Sequence, residues 1–201
     1  MENATGYRRS AGSARGEARR RELLATITDD VAENGLVDFS LRRAARSAGT
    51  THKVLLYHFD GVEDLLRQVV FSLRERRIGN ALAAVAAEPS TLTDRVRAAW
   101  VSLRDEESEL RRVLDQAMGL AMYDPGRYAA LGRGASQQYL PTLLSFCPAD
   151  WPEQRKHEVA SMILATLRGF LVDLLTSDDG SGAEAGFEAL LRAVAREEAA
   201  G

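Results

Sequence analysis

Cysteine is almost missing from this chain of 201 residues, because Cys147 is its only one. A single thiol cannot form an internal disulfide bond, so the sequence fits an intracellular, reducing compartment and we expect a cytoplasmic protein. The histidines, His52, His58 and His157, lie far apart and lack the spacing of zinc ligands. We therefore expect neither a disulfide framework nor a metal or other cofactor.

Long apolar segments are scarce as well. The N-terminus is polar and lacks the apolar core of a signal peptide. The richest apolar run, from Val159 to Leu175, is interrupted by Arg168 and Asp173. This pattern predicts a buried helix rather than a membrane span, and no contact with a membrane is expected.

The alternation of apolar and polar residues that is typical of strands is also missing, and the five prolines lie near breaks between helical patterns. Apolar residues recur at spacings of three and four instead, which predicts an all-α fold. Helices are predicted at about 17–34, 41–48, 52–59, 62–87, 92–106, 109–122, 126–145, 153–176 and 184–198. Ser40 and one of Thr50 and Thr51 are expected to cap helices, and Gly35 to end the first one.

The net charge of −3 is unevenly distributed along the chain. Residues 1–77 hold 14 Arg and Lys against 11 Asp and Glu, whereas residues 78–201 hold 12 against 18. A basic front and an acidic rear fit an N-terminal part that approaches phosphates. Residues 1–16 are small and polar and predict a disordered basic arm, either simply solvated or in contact with phosphates or a minor groove.

Two short helices joined at "AGTT" (48–51), preceded by a supporting helix, predict a helix-turn-helix within residues 17–61. A helix that enters a major groove about 12 Å wide needs hydroxyl and cationic groups on its outer face. The third predicted helix and its cap supply such groups at Thr50, Thr51, His52, Lys53 and Tyr57. The bare pattern is not specific, because any small helical hairpin contains such a turn.

The segment from Leu23 to Leu66 resembles the N-terminal domain of TetR/AcrR-type transcriptional regulators. The matching pieces are Gly35, Ser40, Ala45, "AG" at 48–49, "LLYHF" at 55–59 and "GVEDLL" at 61–66. The resemblance implies a homodimeric repressor that a small-molecule effector releases from a palindromic DNA operator, with residues 62–201 as the helical ligand-binding and dimerisation domain. It implies DNA contacts from Ser40, Arg42, Thr51, His52, Lys53, Tyr57 and His58.

Two positions depart from the family pattern. Leu56 stands where the family usually has tyrosine, and Val62 stands where it has a lysine that contacts phosphate. Both changes remove contacts with the DNA backbone, which leaves weaker binding, compensation by the basic arm or a rotated docking pose as alternatives. A helical ligand-binding or interaction module that has lost DNA binding is the alternative function. For Leu56 itself, the alternative interpretation is an ordinary core residue.

Apolar residues between Val159 and Leu175 cover more of the helix than the arc of about 100° that one buried side requires. The excess predicts burial against a partner subunit, and the resemblance implies an interface formed by the last two helices. The alternative is a central helix buried within one subunit. The predicted interface residues are Ile163, Leu167, Phe170, Leu171, Leu174, Phe187, Leu190, Leu191 and Val194.

Family analogy also implies an apolar effector pocket among the middle helices. The predicted lining residues are Trp100, Met118, Met122, Tyr123, Phe146 and Arg168. Without the analogy, aromatic residues and methionines at helical spacing indicate ordinary core. An enzyme is not expected, because Cys147 and His157 are separated by Pro148 and Pro152 and form no nucleophile–base pattern.

Overall fold

The computed structural model describes residues 13–86, 91–106, 108–177 and 180–200, and all regular structure within these ranges is helical. The helices are α1 (Ala14–Asn34), α2 (Leu41–Ser47), α3 (His52–His58), α4 (Val62–Ala86), α5 (Leu92–Arg104), α6 (Ser108–Tyr123), α7 (Pro125–Phe146), α8 (Glu153–Thr176) and α9 (Ser181–Ala199). The all-α prediction is confirmed.

The first helix begins earlier than predicted. Ser13 caps α1 by accepting a hydrogen bond from Gly16 N at 3.1 Å, so residues 14–16 are helical rather than part of a basic arm. The rest of the predicted arm, residues 1–12, lies outside the described residues.

Caps and left-handed residues set the ends of the short helices. Ser40 Oγ accepts from Arg43 N at 3.3 Å to begin α2, and Thr51 Oγ1 accepts from Val54 N at 3.4 Å to begin α3. Gly35 after α1 and Gly49 before α3 have φ of 73° and 56°, where residues with a Cβ are strained. The turn signals in the sequence therefore correspond to the backbone geometry.

Two apolar clusters form the interior, and α4 belongs to both. The first cluster joins α1, α2 and α3 to the first half of α4 and to α6 and α7, with Leu23, Leu55 and Leu73 at its centre. The second joins the end of α4, through Ala81 and Val85, to α5, α7, α8 and α9. The long helix therefore connects the helix-turn-helix to the rear of the protein.

The structure changes the interpretation of α8 and α9. Seven of the nine predicted interface residues are buried within the single chain, namely Ile163, Leu167, Leu171, Phe187, Leu190, Leu191 and Val194. Phe170 and Leu174 are partly buried against the same cluster. A side chain that is already buried in one protomer cannot form the surface offered to a second. This side of α8 therefore matches the alternative of a helix buried within one subunit.

Within the described ranges, α8 is the one helix that is long and apolar enough to cross a membrane. Its Val159, Ile163 and Leu167 pack into the cluster shared with α5, α7 and α9. Of the most apolar 18-residue segment of this helix, 28% is buried inside the protein.

Candidate nucleic-acid interface and internal cavity

Helix α3 has one side inside the protein and one side facing solvent. Leu55 is fully buried, and Phe59, which follows the helix, is 3% exposed. Thr51, His52 and Lys53 are exposed at the start of the helix. An apolar side thus holds α3 against α1, α2 and α4, while its N-terminal turn presents polar groups outward.

The stretch of chain that contains α3 has no acidic residues. No acidic residue lies between Asp38 and Asp60. Arg42, Arg46 and Lys53 are exposed there, whereas Arg43 is held by Asp30 through an Nε–Oδ2 contact of 3.0 Å. This local excess of positive charge favours a polyanion even though the whole chain is acidic.

The eight predicted DNA-binding residues divide into two groups. Arg42, Thr51, His52 and Lys53 are exposed. The others, Ser40, Thr50, Tyr57 and His58, are half-buried. Ser40 is engaged as the cap of α2, and Thr50 N donates to Ala45 O at 2.8 Å. The four exposed residues are therefore the ones that could enter a major groove of DNA directly.

His58 is turned toward the protein at the end of α3. Burial is the main reason that the pKa of His58 lies below its ordinary value, and the positive charges of Arg20 and Arg19 lower it further. The rings of Tyr57 and His58 meet edge to face with 4.9 Å between their centroids. A half-buried imidazole whose charged form is disfavoured fits an anchoring position better than a phosphate contact.

Arg20 is a residue that the sequence pattern did not single out. Its Nε donates to the carbonyl oxygen of His58 at 3.1 Å and its Nη2 to Gln68 Oε1 at 2.5 Å. Its guanidinium also lies over the ring of Phe59, 5.2 Å from the centroid. Arg20 therefore fixes the end of α3 to α1 and α4. Its place in a run of three arginines concealed this role.

The two departures from the family pattern lie at different depths. Leu56 is 51% exposed on the outer side of α3, so the interpretation of Leu56 as a core residue is wrong. Val62, the first residue of α4, is half-buried. The outer side of α3 thus has an aliphatic group where a hydroxyl is expected.

Polar contacts join this front part to α6 and α7. Gln116 Oε1 accepts from Leu36 N at 3.0 Å, just beyond the end of α1. Arg127 Nε donates to Glu63 Oε1 at 2.7 Å. Arg76 and Asp29 also form an exposed ion pair at 2.6 Å between α4 and α1. Displacements of α6 or α7 would therefore reach the helix-turn-helix.

A small cavity of about 70 Å³, partly open to solvent, lies between α4, α5, α7 and α8. Its walls are mostly apolar, with side chains such as Ile78, Leu103, Leu143, Phe146 and Leu164. The polar wall groups belong to Arg77, Tyr139, Thr142 and Arg168. Largely apolar walls with a few polar groups are typical of small-molecule sites.

The polar end of the cavity is built around a buried ion pair. Arg77 Nε donates to both oxygens of Glu106 at 3.1 Å, and Arg77 Nη2 donates to Oε2 at 2.5 Å. Burial alone would lower the pKa of Arg77, but the bonds with Glu106 outweigh it and the pKa is raised. For Tyr139, whose charged form is an anion, burial raises the pKa. Arg77 is therefore a fixed, neutralised cation.

Solved structures of known proteins share this arrangement. A protein from Streptomyces coelicolor A3(2) that has been assigned as a transcriptional regulator superposes with a TM-score of 0.69 at 21% identity, over 88% of this chain and 98% of that chain. The multidrug binding protein EbrR, complexed with imidazole, gives 0.66 at 19% over 88% and 90%. A protein assigned to the TetR family from Rhodococcus sp. gives 0.64 at 15% over 88% and 98%. No protein-family model and no curated protein matches the sequence.

The chain has the fold of TetR-type transcriptional regulators. The resemblance seen in the sequence is thus confirmed at the level of the fold. In this TetR-type fold, α1 to α3 form the helix-turn-helix, and the cavity lies among the helices behind it. Within the described residues, no three His, Cys, Asp or Glu side chains come together as metal ligands would.

The lining of the cavity differs from the predicted lining. Phe146 and Arg168 line it, but Trp100 is buried in the core and stacks on Phe187 with ring centroids 4.9 Å apart. Met118 lies against Arg74, with 4.0 Å between Sδ and Nη2. At the end of α6, Met122 and Tyr123 are 75% and 89% exposed, so their assignment to a pocket is wrong in this structure.

Arg77, Tyr139 and Thr142 are wall residues that the prediction missed. A signal for Arg77 was present in the sequence, because it continues the buried stripe of α4 that includes Leu66, Val70 and Leu73. An arginine at a core position needs a buried partner, so its presence indicates a buried cluster of polar groups.

Proposed function

We propose that the protein is a sequence-specific DNA-binding transcriptional regulator of the cytoplasm, a homodimeric repressor that a small-molecule ligand releases from its operator. The single observation that carries the proposal is the orientation of α3. Its apolar side is buried, and its first turn presents Thr51, His52 and Lys53 in a stretch of chain without acidic residues. The TetR-type fold supports the same conclusion.

In this proposal the exposed residues have distinct roles on DNA. Lys53 and His52 reach base edges in the major groove, where a lysine pairs with the acceptors of guanine. Arg42 contacts phosphate and adds affinity that depends on salt but carries no sequence information. The half-buried residues support this surface from below, namely Ser40, Thr50, Tyr57 and His58. In this proposal their hydroxyl groups contact the sugar-phosphate backbone.

The operator is proposed to be a palindrome read by two copies of the chain. One helix-turn-helix covers one half-site, and two-fold dimers bind half-sites about 34–36 Å apart. Selection of bound sequences from a random DNA pool tests both points together. The expected result is an inverted repeat with that spacing, whereas recovery of unselected sequences at low salt would contradict specific recognition.

The dimer is proposed to form through the sides of α8 and α9 that the protomer leaves exposed. On α8 these residues are Met162, Ala165, Gly169 and Val172, spaced alternately by three and four. On α9, Ala185 and Ala189 are exposed. Small residues let two such helix pairs approach closely, and Met162 and Val172 supply apolar area. Sedimentation of Val172→Glu should show a shift toward monomer, with Val101→Glu, exposed on α5, as the control.

Release by a ligand is proposed to act through α4, because this helix lines the cavity at Arg77, Ile78 and Ala81 and packs against α3 through its first half. A ligand that binds one arrangement of α4 more tightly increases the population of that arrangement. The distance between the two α3 helices of the dimer then changes to the value that this arrangement allows. A ligand with equal affinity for both arrangements would have no effect.

The second candidate is a helical ligand-binding module without DNA binding, which the exposed Leu56 favours. A gel-shift experiment with the DNA upstream of the chain's own gene, at two salt concentrations, separates the two functions. A shift at low salt that weakens at higher salt supports the regulator. Absence of any shift at low salt supports the module.

A further inference from the structure

The cavity has an imbalance of charge. The charged residues on its wall are Arg77 and Arg168, and no Asp or Glu is among the described residues that line it. Arg77 is neutralised by Glu106, and the two side chains of this pair are 8% and 4% exposed. Arg168 remains as the wall cation for which no contact with a carboxylate is seen in the described part of the chain.

Arg168, on the cavity wall, has a buried hydrogen-bond donor without a partner among the described residues. Its Nη1 donates to Ser136 Oγ at 3.0 Å, and its guanidinium lies over the ring of Tyr139 at 5.7 Å from the centroid. Its Nη2 is shielded from solvent and has no hydrogen-bond partner among the described residues. A shielded donor on a cation is costly when no acceptor is present. Burial also lowers the pKa of Arg168, as expected for a charge whose partner is missing.

The rest of the wall is suited to hydrocarbon. Leu103, Leu143, Phe146, Leu164 and Leu171 form it from three different helices. The hydroxyl groups of Tyr139 and Thr142 lie on the same wall as Arg168 and α7 supplies both. The cavity thus has one cationic, hydrogen-bonding end and one apolar body.

We propose that the cavity binds an amphipathic monocarboxylate, whose carboxylate accepts hydrogen bonds from Arg168 and whose hydrocarbon part lies against Leu143, Phe146 and Leu164. A cationic ligand would meet Arg168, the wall cation without a counter-charge, and a neutral ligand would leave Nη2 without a charged acceptor. The role of this carboxylate as an effector rests on the function proposed above, but its binding does not.

Calorimetric titration of the full chain, without DNA, tests the class of ligand. The compounds are two matched sets, octanoate with octanamide and octylamine, and benzoate with benzamide and benzylamine. At least one carboxylate is expected to bind about tenfold or more tightly than its own amide, since hydrogen bonds to charged groups are the strong ones, and the amines are expected not to bind. The proposal is overturned if no carboxylate binds better than its amide, or if an amine binds best.

Variants identify the residue that is responsible. Arg168→Gln is expected to remove the preference for the carboxylate over the amide, and Arg168→Lys to keep part of it because the charge remains. Arg112→Gln, an exposed change on α6, is the matched control and should keep the full preference. Far-UV circular dichroism verifies that each variant is folded. A preference that survives Arg168→Gln in folded protein overturns the assignment of the site.

The two proposals fail in different experiments. Selection from a DNA pool that recovers no inverted repeat contradicts the regulator and leaves the calorimetry unaffected. Equal binding of carboxylate and amide contradicts the ligand class and leaves the DNA selection unaffected. If both hold, octanoate or benzoate at saturating concentration should weaken operator binding by the wild-type chain and not by Arg168→Gln.

Discussion

Arg20 on α1 donates to the backbone carbonyl of His58, the last residue of α3, although the two residues are 38 positions apart in the chain. The same guanidinium binds Gln68 on α4 and covers Phe59. A carbonyl at the end of a helix lacks an intrahelical donor, so Arg20 satisfies it and fixes the orientation of α3.

Arg20→Met is therefore expected to lower the free energy of unfolding by about 1–3 kcal/mol, because it removes charge-assisted hydrogen bonds from a partly buried site. Urea denaturation measures this loss, and Arg21→Met, exposed on the same helix, is the control. DNA affinity should also fall with no change in its salt slope. A slope that decreases by about one would show instead that Arg20 contacts a phosphate.

Lys53 and Arg42 should give different signatures on DNA. Lys53→Ala is expected to lose about 1–3 kcal/mol of discrimination at one base position in each half-site. Arg42→Ala should weaken binding to all sequences alike and reduce the salt slope by about one. Measurements on the selected operator and on single-base variants separate these outcomes, with Arg112→Ala as the control. Uniform weakening by Lys53→Ala would mean that Lys53 contacts only phosphate.

Leu56→Tyr should strengthen DNA binding. Leu56 is exposed on the outer side of α3, so a tyrosine there can direct its hydroxyl toward a phosphate oxygen. The expected gain is about 0.5–1.5 kcal/mol, the usual net contribution of one hydrogen bond, and it should be similar for all sequences. Leu56→Phe provides the same ring without the donor. An equal gain with phenylalanine would assign the effect to apolar contact.

Gly186 permits the close approach of α9 to α8. A Cβ at this position would lie 2.6 Å from Cε1 of Phe170, and that ring is held edge-on against Trp100 with centroids 5.8 Å apart. Gly186→Ala is expected to destabilise the fold by about 1–3 kcal/mol through overpacking. Gly79→Ala on α4 meets no atom within 4 Å and should stabilise by about 0.5–1 kcal/mol. Thermal unfolding of the pair provides the test, and a stable Gly186→Ala would show that the helices can separate without cost.

Glu106 should be required for the stability of α4. Glu106→Gln removes the counter-charge of Arg77 and leaves a buried guanidinium, which costs about 3–5 kcal/mol in comparable buried pairs. Asp105→Asn, next to it in sequence but in an exposed pair with Arg104, should change stability by less than about 1 kcal/mol. The double change Arg77→Met, Glu106→Leu should recover much of the loss. Equal effects of the two single variants would contradict the role of burial.

The sequence predicted the helices well because their signals are local. Capping residues such as Ser40 and Thr51, positive-φ glycines such as Gly35 and apolar spacings of three and four act within one or two turns of chain. They needed no knowledge of the packing. The exposed turn of α3 was also predictable, since Leu55 and Phe59 mark its buried side.

The orientation of the rear helices depends on contacts distant in sequence, and there the prediction was weaker. Ile163 and Val194 look equally suited to a core or to a subunit interface, and only the packing of α5 and α7 against α8 decides for the core. Family analogy, and not their residue types, predicts Met122 and Tyr123 in a pocket. They are exposed because α6 ends at Tyr123, before the chain turns into α7. Arg77 lies on the buried stripe of α4, but its partner Glu106 follows the end of α5 and has no periodic signal.

The environment of Cys147 has a practical consequence. The thiol is buried, 3.5 Å from the carbonyl oxygen of Leu143, and burial raises its pKa above the ordinary value. Since the attacking species is the thiolate, this side chain will react slowly with maleimides and methanethiosulfonates. A cysteine introduced on the outside of α3 would then be the fast-reacting thiol of each chain. In the dimer proposed above, spin labels attached there would report the distance between the two α3 helices directly, with and without the proposed carboxylate, and without first replacing the native sulfur.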